Sequence, residues 1–330
     1  MSASPTPGPA PSGTTSVPTP APSLAAQAPP APNLPGISLP PRSPRTESWL
    51  KHKRTALDLT VTGLAVLSTM VVLVPLVAIL GYLIFKGASS LNLAFFTKIP
   101  APVGQNGGGM ANAIVGSAVV LGIASAFGIP LGIGAGVYLA EYGRGGTFGN
   151  IVRFTADVLN GVPSIVMGIA AYALIVAHQH HFSAFAGGVA LAIMMVPTIT
   201  RTTEEMLATV PSALREAAFG LGVPKWRTIL SVSLRTASPG IITGCMLAFA
   251  RVAGETAPLL FTALGNQFWS LRTDQPIAAL PLQIFVYAES PYDEWHRLAW
   301  AGALVLIALI MVSVTLVRIF ANRGVLKGSR

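Results

Sequence analysis

Five stretches of this chain, residues 59–85, 110–140, 158–177, 182–200 and 298–317, each run through 18 or more residues without a charged side chain. At about 1.5 Å of rise per residue, such runs are long enough for a hydrocarbon core of about 30 Å. A sixth stretch, 236–264, is interrupted only by Arg251 and Glu255. None shows the period-two alternation of a barrel strand. Residues are 52% hydrophobic and 10% charged, where an average soluble protein has about a quarter charged. The pattern predicts an all-α integral membrane protein with six transmembrane helices.

The first 46 residues are of another kind, holding 14 of the 27 prolines and no acidic residue. They cannot bury enough apolar surface to offset the entropy of ordering. A solvated tail is expected rather than a Pro-rich recognition segment, and no basic start followed by an apolar core marks a secretory signal. The net charge of +9 is distributed in a way that argues against nucleic acid as a partner. Arg42, Arg45, Lys51, Lys53 and Arg54 precede the first run; Arg144 and Arg153 follow the second. Arg201, Arg215, Lys225, Arg227 and Arg235 surround the loop before the 236–264 stretch, and Arg318, Arg323, Lys327 and Arg330 end the chain. The opposite segments carry only Lys86, Lys98, Arg272 and Arg297. The positive-inside rule puts both termini and the loop before the 236–264 stretch in the cytoplasm. Cys245, the single cysteine, lies within the 236–264 stretch and reads as a small core residue.

That loop, 212–226, predicts a short helix. Ser212 is a suitable N-cap, Gly222 a suitable terminator, and Pro224 prevents continuation. Leu214, Ala217, Ala218 and Leu221 would share a side, and small residues at 217, 218, 220 and 222 would let another chain approach the backbone. A helix this short needs a surface to pack on. Glu216-Ala217-Ala218, three residues and then Gly222 resemble the EAA loop of permease subunits from bacterial ATP-driven importers. The family motif ends in Leu-Pro, whereas this chain has Leu234-Arg235. The resemblance implies that Glu216, Ala217, Ala218 and Gly222 couple the chain to an ATPase.

Arg251 and Glu255 are costly residues in an apolar run, on the order of 3 kcal/mol for a charge near the bilayer centre. Counted from Thr236, Arg251 falls near the middle of the stretch, and a spacing of four would set both side chains on one helix face. Two readings follow. The pair neutralises itself and fixes helix packing, or it lines a polar path in which the planar guanidinium fork suits an oxyanion. The surrounding string, Arg251-Val-Ala-Gly-Glu255-Thr-Ala-Pro-Leu-Leu-Phe-Thr-Ala-Leu264 followed by Gly-Asn-Gln-Phe-Trp269, resembles the A-type permease subunits of bacterial high-affinity phosphate importers. Ala111-Asn-Ala-Ile-Val-Gly-Ser117, Gly161-Val-Pro-Ser164, Pro197-Thr-Ile-Thr-Arg-Thr-Thr-Glu-Glu205, Gln275-Pro-Ile-Ala-Ala-Leu-Pro281 and Ala299-Trp-Ala-Gly302 extend the likeness.

The resemblance covers roughly residues 55–320 and excludes the tail. It implies a type I ABC importer permease fold in the bacterial inner membrane, with inorganic phosphate as cargo and Arg251 and Glu255 on the substrate path. It also implies a homologous second permease subunit, two ATPase subunits and a periplasmic phosphate-binding protein, all within membrane lipid. The corresponding division is a disordered cytoplasmic tail at 1–54 ending in a basic cluster, a permease domain at 55–320 with a cytoplasmic coupling loop at 203–236, and a basic tail at 321–330. No Gly-x-x-x-x-Gly-Lys-Ser/Thr occurs, so ATP and Mg are expected on the partner ATPase subunits, with no cofactor bound by this chain and no enzyme activity of its own.

Other positions carry weaker signals. Gly132, Gly134 and Gly136 read as close helix packing rather than a nucleotide loop, which would need a strand before it. Gly107–Gly109 would either cradle an anion through backbone amides or form a flexible turn. His178, His180 and His181 share an external loop without a Cys or carboxylate beside them, and no metal site is expected. Arg153 and Asp157 are spaced as an ion pair, and Glu204 and Glu205 as a solvated face. A secondary, ion-coupled anion transporter would also place Arg and Glu in the membrane, but it would not need the 212–226 loop.

Overall fold

The computed structural model describes residues 44–103, 105, 107–143 and 145–327. The Pro-rich segment at 1–43, Arg144 and residues 328–330 lie outside them. Among the described residues the chain is helical, with one isolated bridge between Leu264 and Ile277. Helices satisfy their own backbone hydrogen bonds, the condition for crossing lipid.

The first helix, α1 (Pro44–Ala88), starts before the boundary expected at residue 55, so the basic cluster at 51–54 is helical. The chain divides after Thr69. In the first unit, α1 exposes the side chains described from Lys53 onward. The second unit begins with the rest of α1, which turns Leu83 inward and ends with Tyr82 edge-on to Trp300 at 5.2 Å between ring centroids.

After the short α2 (Leu93–Thr97), the centre of the second unit is α3 (Ala111–Glu141) against α7 (Ala184–Ala208). Gly128, Gly132 and Gly136, one per turn, form the seam. A Cβ at Gly132 would stand 2.7 Å from Ile199 Cβ, and one at Gly136 would stand 2.5 Å from Thr203 Cβ. Gly134, grouped with them on sequence, has nothing within 4 Å and belongs to another face. Gly132→Ala should therefore destabilise the detergent-solubilised chain by about 1–3 kcal/mol, as overpacking does. Gly134→Ala should be near neutral, and comparison of their thermal unfolding with wild type checks both.

Between α3 and α7 lies α4 (Thr147–Gly161), followed by α5 (Ser164–Ala171), a π-helical turn at Tyr172–Val176 and α6 (Ala177–Gln179). The run expected as one span at 158–177 bends by 110° between Gly161 and Ser164. Pro163 lacks an amide proton and disfavours helical backbone at Val162, which is extended at φ −72°, ψ 133°. Among the described residues, five helices are long and apolar enough to cross a membrane, and six crossings result if the bent pair counts as one. α4 exposes Phe148, Ile151, Phe154 and Val158 while its Asn160 side chain meets Thr198 Oγ1 of α7 at 2.9 Å.

The loop helix α8 (Ser212–Gly220) leads to α9 (Lys225–Thr228), a second π-helical turn at Ile229–Ser233 and α10 (Leu234–Ala253). The apolar segment Lys225–Ala253 is one candidate span. The run expected at 236–264 thus begins earlier and breaks earlier. Gly254 ends α10, and Pro258 opens the separate α11 (Ala257–Thr262). Finally α12 (Leu280–Ala288) precedes α13 (Asp293–Lys327), which continues as helix through most of the segment expected as a basic tail. A buried cluster including Val120, Leu191, Met195, Ile241, Ala248 and Leu259 joins α3, α7, α10 and α11.

Candidate functional site

At the C-terminal end of α7 the chain leaves the bundle, and the part of 203–236 outside the long helices is short. Residues 203–208 still belong to α7, and helix resumes at Lys225. Pro211, not Ser212, occupies the N-cap of α8; Ser212 is the first helical residue and no side chain caps the helix. Proline serves here because it presets an extended backbone before the first turn, and Pro211 has φ −58° and ψ 136°. The other end follows the expectation closely. Gly222 has φ 77°, its amide donates to Phe219 O at 2.9 Å, and the Val223 amide donates to Ala218 O at 3.1 Å. Those two bonds close a Schellman turn.

Only Ala218 of α8 is buried. Leu214, Phe219 and Leu221 are exposed together with Trp226 just beyond, giving the loop an apolar outer surface. Glu216 and Ala217 are exposed as well, and the Glu216 carboxylate has no hydrogen bond or ion pair among the described residues. Leu214, Ala217, Ala218 and Leu221 were expected to share a packed side; of these, only Ala218 faces the bundle.

Arg215 was read from sequence as an orienting charge, but it turns inward. Its Nε and Nη2 lie 3.1 Å and 3.0 Å from Glu141 Oε1 at the end of α3, while Nη1 donates to Val210 O and Nη2 to Leu207 O at 3.0 Å and 2.8 Å. Helical spacing held the signal: Arg215 precedes the buried Ala218 by three, which sets both on one face. Nearby, the expected Arg153–Asp157 pair is replaced by a crossed network between α4 and α7. Arg153 pairs with Glu204 at 2.6 Å, Arg201 with Asp157 at 3.0 Å, and Arg201 with Glu204 at 2.8 Å. Glu204 is therefore a partly buried ion-pair centre, while Glu205 is solvated as expected. One-helix spacing rules cannot foresee partners on another helix.

Arg251 sits in the last turn of α10, and Glu255 lies beyond the helix end. The helix break removes the shared face that a spacing of four would have supplied. Neither side chain has a polar partner among the described residues; Arg251 is exposed and Glu255 half-buried. An exposed guanidinium at the end of an apolar helix needs water, an anion or another protein chain to solvate it.

The segment after Glu255 returns to the opposite end of α7. Ser183, the N-cap of α7, accepts from the Ala186 amide at 3.1 Å, and the amides of Ser183, Ala184 and Phe185 donate to the carbonyls of Thr262, Gln275 and Thr273. Two strings distant in sequence meet there: Asn112 Nδ2 donates to Asn266 O at 2.9 Å, and the Leu280 amide donates to Ser117 Oγ at 2.6 Å. In the same loop the hydrogen bond from exposed Arg272 holds the Asp274 carboxyl below the usual carboxylate range.

Gly107 and Gly108 have positive φ, and Gly109 donates its amide to Ile99 O at 3.1 Å. The last amide of the triplet is thus already occupied. His178 and His181 direct Nδ1 to the backbone carbonyls of Ala173 and Phe182. Cys245 is buried in α10.

Residues 128–324 match the family model described as "Binding-protein-dependent transport system inner membrane component". The phosphate transport system permease protein PstA of Yersinia pestis is 47% identical over 282 residues, covering 84% of this chain and 94% of the relative. That of Xylella fastidiosa (strain 9a5c) is 52% identical over 231 residues, covering 70% and 80%. Among solved structures, a chain of the inward-facing MetNI methionine ABC transporter aligns with a TM-score of 0.52 at 20% identity, covering 67% of this chain and 98% of that one. A chain of a bacterial ABC transporter that imports the acidic polysaccharide alginate aligns with a TM-score of 0.56 at 12% identity, covering 84% and 99%. These structural likenesses identify the type I ABC importer permease fold. The chain belongs to the inner-membrane components of binding-protein-dependent transport systems and, within them, to the PstA permeases of phosphate transport systems.

Proposed function

We propose that this chain is one of two permease subunits that carry inorganic phosphate across the bacterial inner membrane, driven by ATPase subunits docked at 212–226. The observation that carries the reading is the pairing of two features on one chain. A terminated nine-residue helix presents Glu216, Ala217 and exposed apolar side chains outward, and an exposed arginine without an intrachain ion pair among the described residues stands in the last turn of an apolar helix. The names of relatives at 47% and 52% identity support phosphate as the cargo.

Each part has a physical role. The φ of 77° at Gly222 lets the chain reverse tightly after α8, leaving its outer face clear for an ATPase groove. Arg251 supplies positive charge and a planar donor fork where phosphate passes, and Glu255, beyond the helix end, holds or gates the arginine. A periplasmic binding protein delivers phosphate at the face opposite α8. ATP and Mg belong to the ATPase chains, and this chain performs no hydrolysis.

The test is uptake of labelled phosphate into proteoliposomes holding this chain, its partner permease and the ATPase subunits, with binding protein outside and ATP inside. Uptake should be abolished by vanadate and insensitive to an uncoupler while ATP is held constant. Collapse by the uncoupler with vanadate resistance would establish ion-coupled transport instead.

A further inference from the structure

The loop helix is outwardly directed, yet little apolar burial holds it. Of the nine residues of α8, Ala218 alone is buried. Its attachment is polar and runs through Arg215, whose side chain is 13% exposed, and Glu141, 9% exposed. One guanidinium reaches three places at once: the Glu141 carboxylate at the end of α3, Leu207 O in the last turn of α7, and Val210 O where the chain leaves it. The last carbonyls of a helix have no intrahelical partner, so Arg215 also completes the terminus of α7. On the far side of the loop, Lys225 Nζ donates to Glu141 O at 2.9 Å and lies 4.2 Å from the centroid of the Tyr142 ring. Arg215 within α8 and Lys225 after it are thus both tied to the C-terminal end of α3.

We propose that the Arg215–Glu141 pair is the link that makes α3 and α7 follow any displacement of α8, so that Arg215 is a positioning residue for energy transfer and not part of the ATPase-docking surface. This rests on the docking reading above. The reasoning is mechanical and electrostatic. Moving α8 alone would separate a mostly buried ion pair, leaving an uncompensated charge on each side, and would take the guanidinium donor from Val210 O and one of two donors from Leu207 O, which keeps the Val210 amide. Moving α8 with the ends of α3 and α7 breaks none of these contacts. The α3 end is itself gripped by Arg153, which donates to Leu139 O at 3.1 Å and pairs with Glu204. Displacement at the loop thereby reaches α4 through contacts of defined partners.

The experiment uses the full complex in proteoliposomes and reads two quantities together: ATPase copurifying with the permease, and phosphate accumulated per ATP hydrolysed. Arg215→Gln and Glu141→Gln should copurify the normal amount of ATPase, while phosphate per ATP falls roughly fivefold or more. Arg215→Lys, which keeps the charge but loses the fork, should fall between Gln and wild type. The double variant Glu141→Cys with Arg215→Cys, joined by a bis-methanethiosulfonate linker, separates a mechanical link from mere folding. The linker should raise the ratio toward wild type and a reductant should lower it again.

An unchanged ratio in both Gln variants would overturn the proposal, as would loss of ATPase from Arg215→Gln, which would make Arg215 a docking residue. Should the Gln variants not accumulate in the membrane, the cysteine pair decides, and a ratio indifferent to linker and reductant would overturn the proposal. Failure of the wild-type complex to retain ATPase through 212–226 would instead overturn the docking reading.

Discussion

Arg251→Lys is expected to reduce phosphate uptake about tenfold or more while leaving chain level and ATPase copurification normal. Lysine keeps the positive charge but replaces the planar, multi-donor guanidinium with a point charge. A hydrogen bond to a charged group is worth about 1.5–3 kcal/mol, which corresponds to roughly tenfold or beyond in binding. The exchange Arg251→Glu with Glu255→Arg is expected to fail as well. On sequence, an exchange would preserve opposite charges on one helix face. The helix ends between the two residues, however, and Arg251 makes no ion pair among the described residues. Exchange therefore places a carboxylate where an anion would pass without restoring any intrachain contact. Glu255→Gln should be milder, because a carboxylate beside the path can only orient the arginine or gate it. Uptake should be measured in vesicles with matched amounts of assembled complex. Near-normal rates for both Arg251→Lys and the exchange would remove Arg251 from the substrate path.

Long charge-free runs were legible because burial in lipid demands them over whole helix lengths. What they could not reveal was where a run breaks. Gly161-Val-Pro lies inside a charge-free run, and Gly254 with Pro258 lies in a stretch long enough for one span despite Arg251 and Glu255, yet each interrupts the helix through backbone restrictions that hydropathy does not measure. The end of α8 was legible for the opposite reason: a Schellman turn needs positive φ at one position, and Gly222 meets that need locally. The glycines of α3 were half legible. Small residues announced close packing, but two of the three named, Gly132 and Gly136, face α7 while Gly134 does not; Gly128, unnamed, does. Ion pairs were the least legible. Arg153 and Arg201 choose partners across two helices, and Arg215 finds Glu141 at a distance of 74 residues. Such pairings depend on which helix ends meet, which a local pattern does not encode.

Glu216→Lys and Gly222→Val should both release the ATPase, through different causes that the structure separates. The Glu216 carboxylate is exposed and has no polar partner among the described residues, so reversing its charge leaves the chain's own contacts intact. Any loss of association then originates at the intermolecular surface, where removing one charge-assisted contact should weaken binding roughly tenfold. Gly222 acts on the shape of the loop. A Cβ there would meet nothing within 4 Å, so the cost is purely conformational: φ of 77° is left-handed, and a β-branched residue there costs about 1–2 kcal/mol or more. That strain is relieved by opening the Gly222–Phe219 and Val223–Ala218 bonds, which unwinds the last turn of α8. Gly220→Ala is the control, since Gly220 is helical, has ordinary φ and also has free space, and it should bind ATPase normally. Copurification at matched permease levels distinguishes the three variants. Normal ATPase recovery and uptake from both Glu216→Lys and Gly222→Val would mean that energy enters this permease somewhere other than 212–226.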